Sequence, residues 1–403
     1  MGLIVQKFGG SSVKDAERLR NVAQIITETY AKGNGVVAVV SAQGDTTDEL
    51  IEKAAEISRS PSKREMDTLL SAGEQMSAAL LAMAIETLGF PVISLTGWQA
   101  GFITSSAHAT ARIRRIDTER VQNELSKKNI VIVAGFQGVN RYDDITTLGR
   151  GGSDTSAVAL AAALKADRCQ IFTDVDGIYV ADPRKVKNAR KLAEISYDEM
   201  MEIATLGAQV LLNRSVEMAK KYNVEIEVLS SLERKPGTIV REVTRVEKML
   251  IKGVTKDSNI ARIAVMGVAD MPGMAYRLFS ALAAKHINVD IILQSIGRDG
   301  TKDVSFTVSK EDKDATMKVL DGMLPLLHAK EIVCDENISK VSVVGAGIQS
   351  NPGVAARMFE ALSEANINIQ MIATSEIKIS VLIDAANADR AVSVVYDQFC
   401  GEI

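Results

Sequence analysis

"VQKFGGSSVKD", residues 5–15, sets a lysine and two adjacent glycines between an apolar run and a helical pattern. The run opening at Leu3 reads as a strand ending near Phe8. After it, Val13, Leu19, Val22, Ile25 and Ile26 recur at helical spacing, with Ser11 or Ser12 placed to cap the helix. A strand that passes through a short turn into a helix is the building unit of a parallel sheet. Gly9 and Gly10 carry no Cβ, so backbone N–H groups there can approach an anion closely. A helix N-terminus adds partial positive charge and Lys7 a full one. The stretch matches neither common phosphate signature, GxxxxGK[ST] nor GxGxxG. The plainer alternative is a tight βα turn with an exposed lysine.

Outward from this corner the same alternation continues. Strand patterns at 3–8, 36–41, 91–95, 130–135, 170–175 and 225–230 are separated by helix patterns at about 11–31, 46–58, 63–88, 118–127, 153–166 and 207–222. Continuous apolar strands between helices predict an α/β fold with a mostly parallel sheet between helix layers. Ligands of such sheets bind beyond the carboxyl ends of the strands. From residue 232, "LERKPGTIVREVTRVEK" is charged and carries a proline, which predicts a boundary. Residues 267–295 then align without a gap on 347–375, with 12 of 29 positions identical, among them Pro272/Pro352, Gly273/Gly353, Phe279/Phe359 and Asn288/Asn368. Each copy reads strand, Pro-Gly turn, amphipathic helix, Ile-Asn turn, strand. Two copies are too few for a solenoid and predict a pair of small α+β modules. The expected organisation is a catalytic part at 1–235, a linker at 236–258 and modules at 259–335 and 336–403.

Length and composition agree with a multidomain globular protein: 403 residues, 46% apolar, 24% charged and a formal charge of −4. That balance points away from nucleic acid and membrane surfaces as partners. No uninterrupted apolar stretch reaches the roughly 18 residues of a membrane span, and the amino terminus lacks a signal-peptide layout. Cys169, Cys334 and Cys400 are far apart, which fits a reduced cytoplasm. His108, His286 and His328 have no partner at metal-ligand spacing, so no protein-held metal site is expected.

Four further stretches carry candidate residues. In "VVSAQGDTTDEL" (39–50), Ser41, Thr46 and Thr47 offer hydroxyls, although Asp45 or Thr46 acting only as a cap is the plainer reading. In "LLSAGEQMSAALLAMAI" (69–85), Glu74 is an acid on an apolar helix, suited to an ammonium group unless it is simply solvated. In "TTLGRGGSDTSAVALAAAL" (146–164), Gly149, Gly151 and Gly152 bracket Arg150, and Ser153-Asp154-Thr155 opens an Ala-rich helix. Arginine in a glycine loop suits bidentate recognition of a carboxylate or phosphate; a surface loop is the alternative. "FTDVDGIYVADPR" (172–184) sets Asp174, Asp176 and Asp182 around a glycine and a tyrosine, either beside a nucleotide or as a capped turn. Taken together, cation-bearing glycine turns suit phosphates and a carboxylate, while Glu74 and the hydroxyls suit an amine-bearing substrate. A carboxylate nucleophile, with a reference pKa near ~4, needs no general base, which accords with so few histidines. Phosphoryl transfer then rests on positioning and on neutralising spread charge.

These motifs, in this order and followed by the repeat, resemble the aspartate kinases over essentially the whole chain. The resemblance implies an amino-acid-kinase fold followed by two ACT modules. It also implies ATP-dependent phosphorylation of L-aspartate to 4-phospho-L-aspartate, the first step toward lysine, threonine and methionine. By this likeness Lys7 stabilises the transferring phosphoryl group, with Phe8, Gly9, Gly10 and Ser41 along the phosphates. Arg150 clamps the aspartate α-carboxylate beside Gly151, Gly152 and Ser153. Glu74 holds the amino group, Thr47 orients the substrate, and Asp154 organises Lys7 and the reacting centre. Thr173, Asp174, Tyr179, Asp182 and Arg184 fall where the family holds the nucleotide. Mg2+ would arrive with ATP, held mainly by phosphate oxygens and water. Gln209 stands where family members commonly carry a lysine.

The ACT likeness implies feedback by lysine, alone or with threonine. The implied effector residues are Asp270, Met271, Pro272, Gly273, Asn288, Asp290 and Gln294 in the first module. In the second they are Asn351, Pro352, Gly353, Asn368, Thr374, Ser375 and Glu376. Bare helix starts and modules that merely associate are the alternative. A homo-oligomer is expected, with a short regulatory chain begun near Met249 as a variant seen in the family. The chain ends after the second module, leaving no homoserine dehydrogenase domain in this sequence. Two rivals stand beside this reading: a kinase of the same fold with another small-molecule acceptor, and a non-catalytic amino-acid sensor.

Overall fold

The computed structural model describes residues 2–206, 210–242, 250–295, 297, 300–349 and 351–401. Gln209 and Met249 lie outside them. Two compact units are present: Met1–Tyr179 with Arg190–Val246, and Val180–Ala189 with Glu247–Ile403. The segment 180–189, expected inside the catalytic part, groups with the second unit.

The first unit is built on an eight-stranded sheet in the order Glu194–Ile195, Thr238–Val240, Ile226–Ser230, Arg168–Thr173, Leu3–Phe8, Gly35–Val40, Ile130–Ala134, Val92–Leu95. All neighbours are parallel except Ile226–Ser230 with Thr238–Val240. Leu3–Phe8 is central because its run has apolar neighbours on both sides. On one face Phe8, Val36, Ala38, Val40, Ile130 and Ile132 pack under the helices Ala16–Ala31 and Lys63–Glu86. The Ala-rich helix Gly152–Leu164 covers the strands Leu3–Phe8, Gly35–Val40 and Arg168–Thr173. Strand alternation therefore sends Phe8 and Lys7 to opposite faces, and Lys7 to the side of that helix.

Several sequence expectations change here. The first helix begins at Ala16, capped by the Asp15 side chain, which accepts from Arg18 N–H. Gly10–Ser12 is a separate 3-10 turn, so neither Ser11 nor Ser12 caps the helix. Ser12 instead donates to the Ser231 hydroxyl at 2.9 Å. Before the described helix Asn213–Tyr222 there is another, Tyr197–Thr205, started by a Ser196/Glu199 capping box. A small sheet of Ile113–Ile116, Phe102–Thr104, Gln137–Val139 and Ile145–Thr147 went unforeseen because its strands are only three or four residues long. The 24-residue helix Lys63–Glu86 is long and apolar enough to cross a bilayer by composition. Its buried residues, however, pack Ala78, Leu81 and Ile85 under the sheet and include Asp67 and Glu74.

In the second unit, Ile260–Ala269, Ile292–Gln294, Thr301–Ser309 and Glu331–Asp335 form one antiparallel sheet. Gly253–Asp257, Ile338–Val344, Met371–Thr374 and Lys378–Asp384 form the other. The stretch 236–258 is thus not a bare linker: Thr238–Val240 belongs to the large sheet and Gly253–Asp257 to the last module's sheet. The repeated helices are Met274–Ala283 and Val354–Glu364, each entered through a glycine at positive φ, Gly273 at 91° and Gly353 at 96°. That conformation needs glycine at each Pro-Gly turn.

Candidate active site

Parallel strands deliver their carboxyl ends to one edge, and there the predicted loops converge. Lys7 Nζ lies 2.6 Å from Asp154 Oδ1, with both side chains about nine-tenths buried. Asp154 stands in the first turn of helix Gly152–Leu164, directly after the glycine loop that carries Arg150. Asp154 therefore joins the Lys7 corner to the helix that follows the glycine loop. A Cβ on Gly9 would come 3.4 Å from Lys7 Nζ, so the bare turn lies against the ammonium group.

The second loop seals the first. Ser41 N–H donates to Phe8 C=O at 3.1 Å and Gly44 N–H to Gly10 C=O at 3.1 Å. A Cβ on Gly10 would meet the Ala42 carbonyl oxygen at 2.8 Å, which excludes a side chain there. Ala42 N–H in turn donates to Glu74 Oε1 at 3.2 Å. Gly73 makes that contact possible, since a Cβ on it would press Ala42 Cβ at 2.8 Å. Glu74 is 4% exposed, and its Oε2 has no hydrogen-bond partner among the described residues. Burial pushes its carboxyl up to about 7, against the hydrogen bond from Ala42 that pulls it down. A buried acid oxygen left unsatisfied costs free energy until a polar or charged partner meets it.

Arg150 is exposed, between Gly149 at φ 79° and Gly151 at φ 63°. A Cβ on Gly151 would fall 1.6 Å from Leu212 Cδ1, so the loop lies tight against the start of helix Asn213–Tyr222. Gly135, at the end of Ile130–Ala134, admits Ser153 in the same way: a Cβ there would meet Ser153 Oγ at 2.9 Å. Ser153 is buried and Thr47 half-buried in the first turn of Thr46–Ile57.

Thr173 and Asp174 close the strand Arg168–Thr173, with the threonine hydroxyl donating to Asp174 at 3.0 Å. Tyr179 donates to Asp176 at 2.7 Å, which together with burial pushes the phenol up to about 12. Lys191, unforeseen from sequence, bridges Asp176 Oδ2 at 3.1 Å and Pro236 C=O at 2.8 Å, and so ties down this turn. Asp182 and Arg184 pair with each other and belong to the second unit. Lys191 was invisible to the motif because it reaches the turn from 15 residues away.

In the first regulatory module a cavity of about 330 Å³ is lined by Asp270, Met271, Pro272, Gly273, Gln294 and Lys302, among others. Lys302, also unforeseen, pairs with Asp270 at 2.9 Å. Asn288 and Asp290 do not line it. Asp290 is taken by the Lys340 ammonium group, which is buried. In the second module Asn351, Pro352, Gly353, Asn368, Thr374, Ser375 and Glu376 are all exposed.

Glycine turns and a lysine at the ends of parallel strands, a buried acid with an unsatisfied oxygen and two α+β modules later in the chain define a regulated small-molecule kinase. The profile of the Amino acid kinase family matches residues 2–230, and that of the ACT domain matches 263–324 and 341–399. The chain is 50% identical over 400 residues to the aspartokinase of Bacillus sp. strain MGA3, covering 99% of this chain and 97% of that one. It is similar to the crystal structure of E. coli aspartokinase III with aspartate and ADP, at TM-score 0.81 and 25% identity over 98% of this chain and 99% of that one. The same enzyme with lysine and aspartate gives TM-score 0.77 at 25% identity, covering 99% of both chains. This chain belongs to the aspartokinase family. It is an enzyme, a phosphotransferase that uses ATP and has a carboxyl group as acceptor.

Proposed function

We propose that this chain transfers the γ-phosphoryl group of ATP to the side-chain carboxylate of L-aspartate at the strand ends around Lys7. The observation that carries the assignment is the pairing of two features at Ala42: the Gly10 turn that follows Lys7 is pressed against its carbonyl, and its N–H donates to Glu74, whose other oxygen is unsatisfied. Glu74 receives the aspartate ammonium group, Arg150 its α-carboxylate, and Ser153 and Thr47 complete the acceptor side. Lys7, between the phosphates and the acceptor, neutralises charge as it spreads over the transferring group. Asp154 holds Lys7 in place. The turns at Gly9, Gly10 and Ser41 offer N–H groups and a hydroxyl to the phosphates, and Thr173, Asp174 and Tyr179 flank the nucleotide. Asp182 and Arg184 are further nucleotide candidates by the same family likeness. Mg2+ would come with the nucleotide, held by phosphate oxygens and water. A hydroxamate assay with aspartate, glutamate and acetylglutamate tests the acceptor: turnover confined to aspartate supports the reading, and equal turnover with acetylglutamate ends it.

Regulation is proposed at the first-module cavity, whose lining includes Gly273 at the helix start, Asp270 and Gln294. E. coli aspartokinase III was crystallised with lysine, and lysine is the effector proposed here, threonine acting with it as the second candidate. The effector shifts the enzyme by binding one conformation more tightly. Association of like chains through the modules is proposed because the edge strand Ile292–Gln294 is exposed along its whole length. A cytoplasmic setting fits three cysteines that stand far apart in the sequence.

A further inference from the structure

We propose that Asp67 and Arg214 are positioning residues for the aspartate α-carboxylate, acting together on the backbone that carries Arg150. The proposal rests on Arg150 being the α-carboxylate clamp. Asp67 is 1% exposed on helix Lys63–Glu86, seven residues and so about two turns before Glu74. Its Oδ1 accepts from the Thr147 hydroxyl at 2.6 Å and from Ala109 N–H at 3.0 Å, and its Oδ2 lies 2.9 Å from His108 Nδ1. Arg214, from helix Asn213–Tyr222, donates to Leu148 C=O at 2.8 Å and to Ala111 C=O at 2.9 Å.

The two side chains thus grip the same pair of segments, 109–111 and 147–148, and these are joined to each other by Ala111 N–H donating to Thr147 C=O at 2.9 Å. Gly149 follows at once, with the Ala109 carbonyl oxygen 3.0 Å from where its Cβ would stand, and Arg150 comes next. Neither charged group is needed by the phosphoryl chemistry. Burying a carboxylate and half-burying a guanidinium only to satisfy loop backbone is costly unless that backbone must hold one position. One rigid helix carries both Glu74 and Asp67. It therefore sets the separation between the ammonium holder and the carboxylate clamp, which is how an α-amino acid is measured.

The test is steady-state kinetics of the full chain carrying Asp67→Asn or Arg214→Lys, with Arg150→Ala as the control. Each positioning variant is expected to raise the KM for aspartate by about tenfold or more, the size of one charge-assisted hydrogen bond. The KM for ATP should stay within about twofold, and saturating aspartate should restore turnover. Should Asp67→Asn lose its cooperative thermal transition, Arg214→Lys decides alone, because it keeps the charge and loses the fork that reaches two carbonyls. An unchanged aspartate KM in the folded variants overturns the proposal, as does an equal rise in the KM for ATP. An unchanged aspartate KM in Arg150→Ala overturns the clamp itself, and the two failures are thereby distinguished.

Discussion

Lys7 illustrates how a single residue is set by strand alternation. Its register opposite Val39 and Ile171 puts it on the face of the Ala-rich helix, where Asp154 is waiting. Lys7→Ala is expected to lower kcat by about two to three orders of magnitude, as removal of a charge stabiliser does, with little change in the KM for aspartate. Unchanged turnover would remove it from the mechanism. Glu74 makes a pH prediction. Its carboxyl is raised from 4.5 to about 7 in the fold, so the folded chain keeps a proton that the unfolded chain loses. Its contribution to stability is full below 4.5 and is lost as pH rises through about 7. The thermal midpoint of Glu74→Gln should therefore gain on the parent between about pH 5 and about pH 8. An ammonium group prefers the ionised acid, so the parent's KM for aspartate should fall over the same range and that of Glu74→Gln stay flat.

Loop and helix elements meet here through missing side chains. Gly73 sits inside a long helix, where glycine costs roughly 1 kcal/mol against alanine; it is tolerated because it lets the helix touch Ala42. Gly73→Ala would improve the helix locally and still damage the site, pushing Ala42 and Glu74 apart. The expected result is a raised aspartate KM with a thermal midpoint close to the parent's, and a lower KM would contradict it. At Gly151 both space and φ forbid a side chain, since a Cβ would fall 1.6 Å from Leu212 Cδ1 at φ 63°. Gly151→Ala should lower stability by about 1–3 kcal/mol in denaturant titration.

At the scale of the whole molecule the two units keep separate cores. In the regulatory unit a buried lysine joins the modules: Lys340, on Ile338–Val344, pairs with Asp290 of the first module and lies 3.6 Å from Asp257. Asp290 was expected to greet an effector, but its partner is already inside the chain. Lys340→Ala should lower stability by about 1–3 kcal/mol, less than a fully buried pair because Asp290 is partly exposed. Lysine binding at the Asp270 cavity should raise the thermal midpoint in proportion to the logarithm of its concentration. Asp270→Ala should abolish that rise while leaving uninhibited turnover intact.

Much could be read without coordinates, because it depends on neighbours in the chain. Apolar runs, helical spacing, glycine turns and the tandem repeat are local patterns, and they led to an α/β sheet with its loops at one edge and paired α+β modules later in the chain. The resemblance carried by those loops named Lys7, Glu74, Arg150 and Asp154. What needed the fold were contacts between residues far apart in the sequence. Examples are Lys191 reaching back to Asp176, Arg214 to Leu148 and Ala111, Lys340 to Asp290, and the late strand Gly253–Asp257 joining the last sheet. A side chain that satisfies a distant carbonyl leaves no periodic mark, since its partner is chosen by packing in three dimensions and not by spacing along the chain.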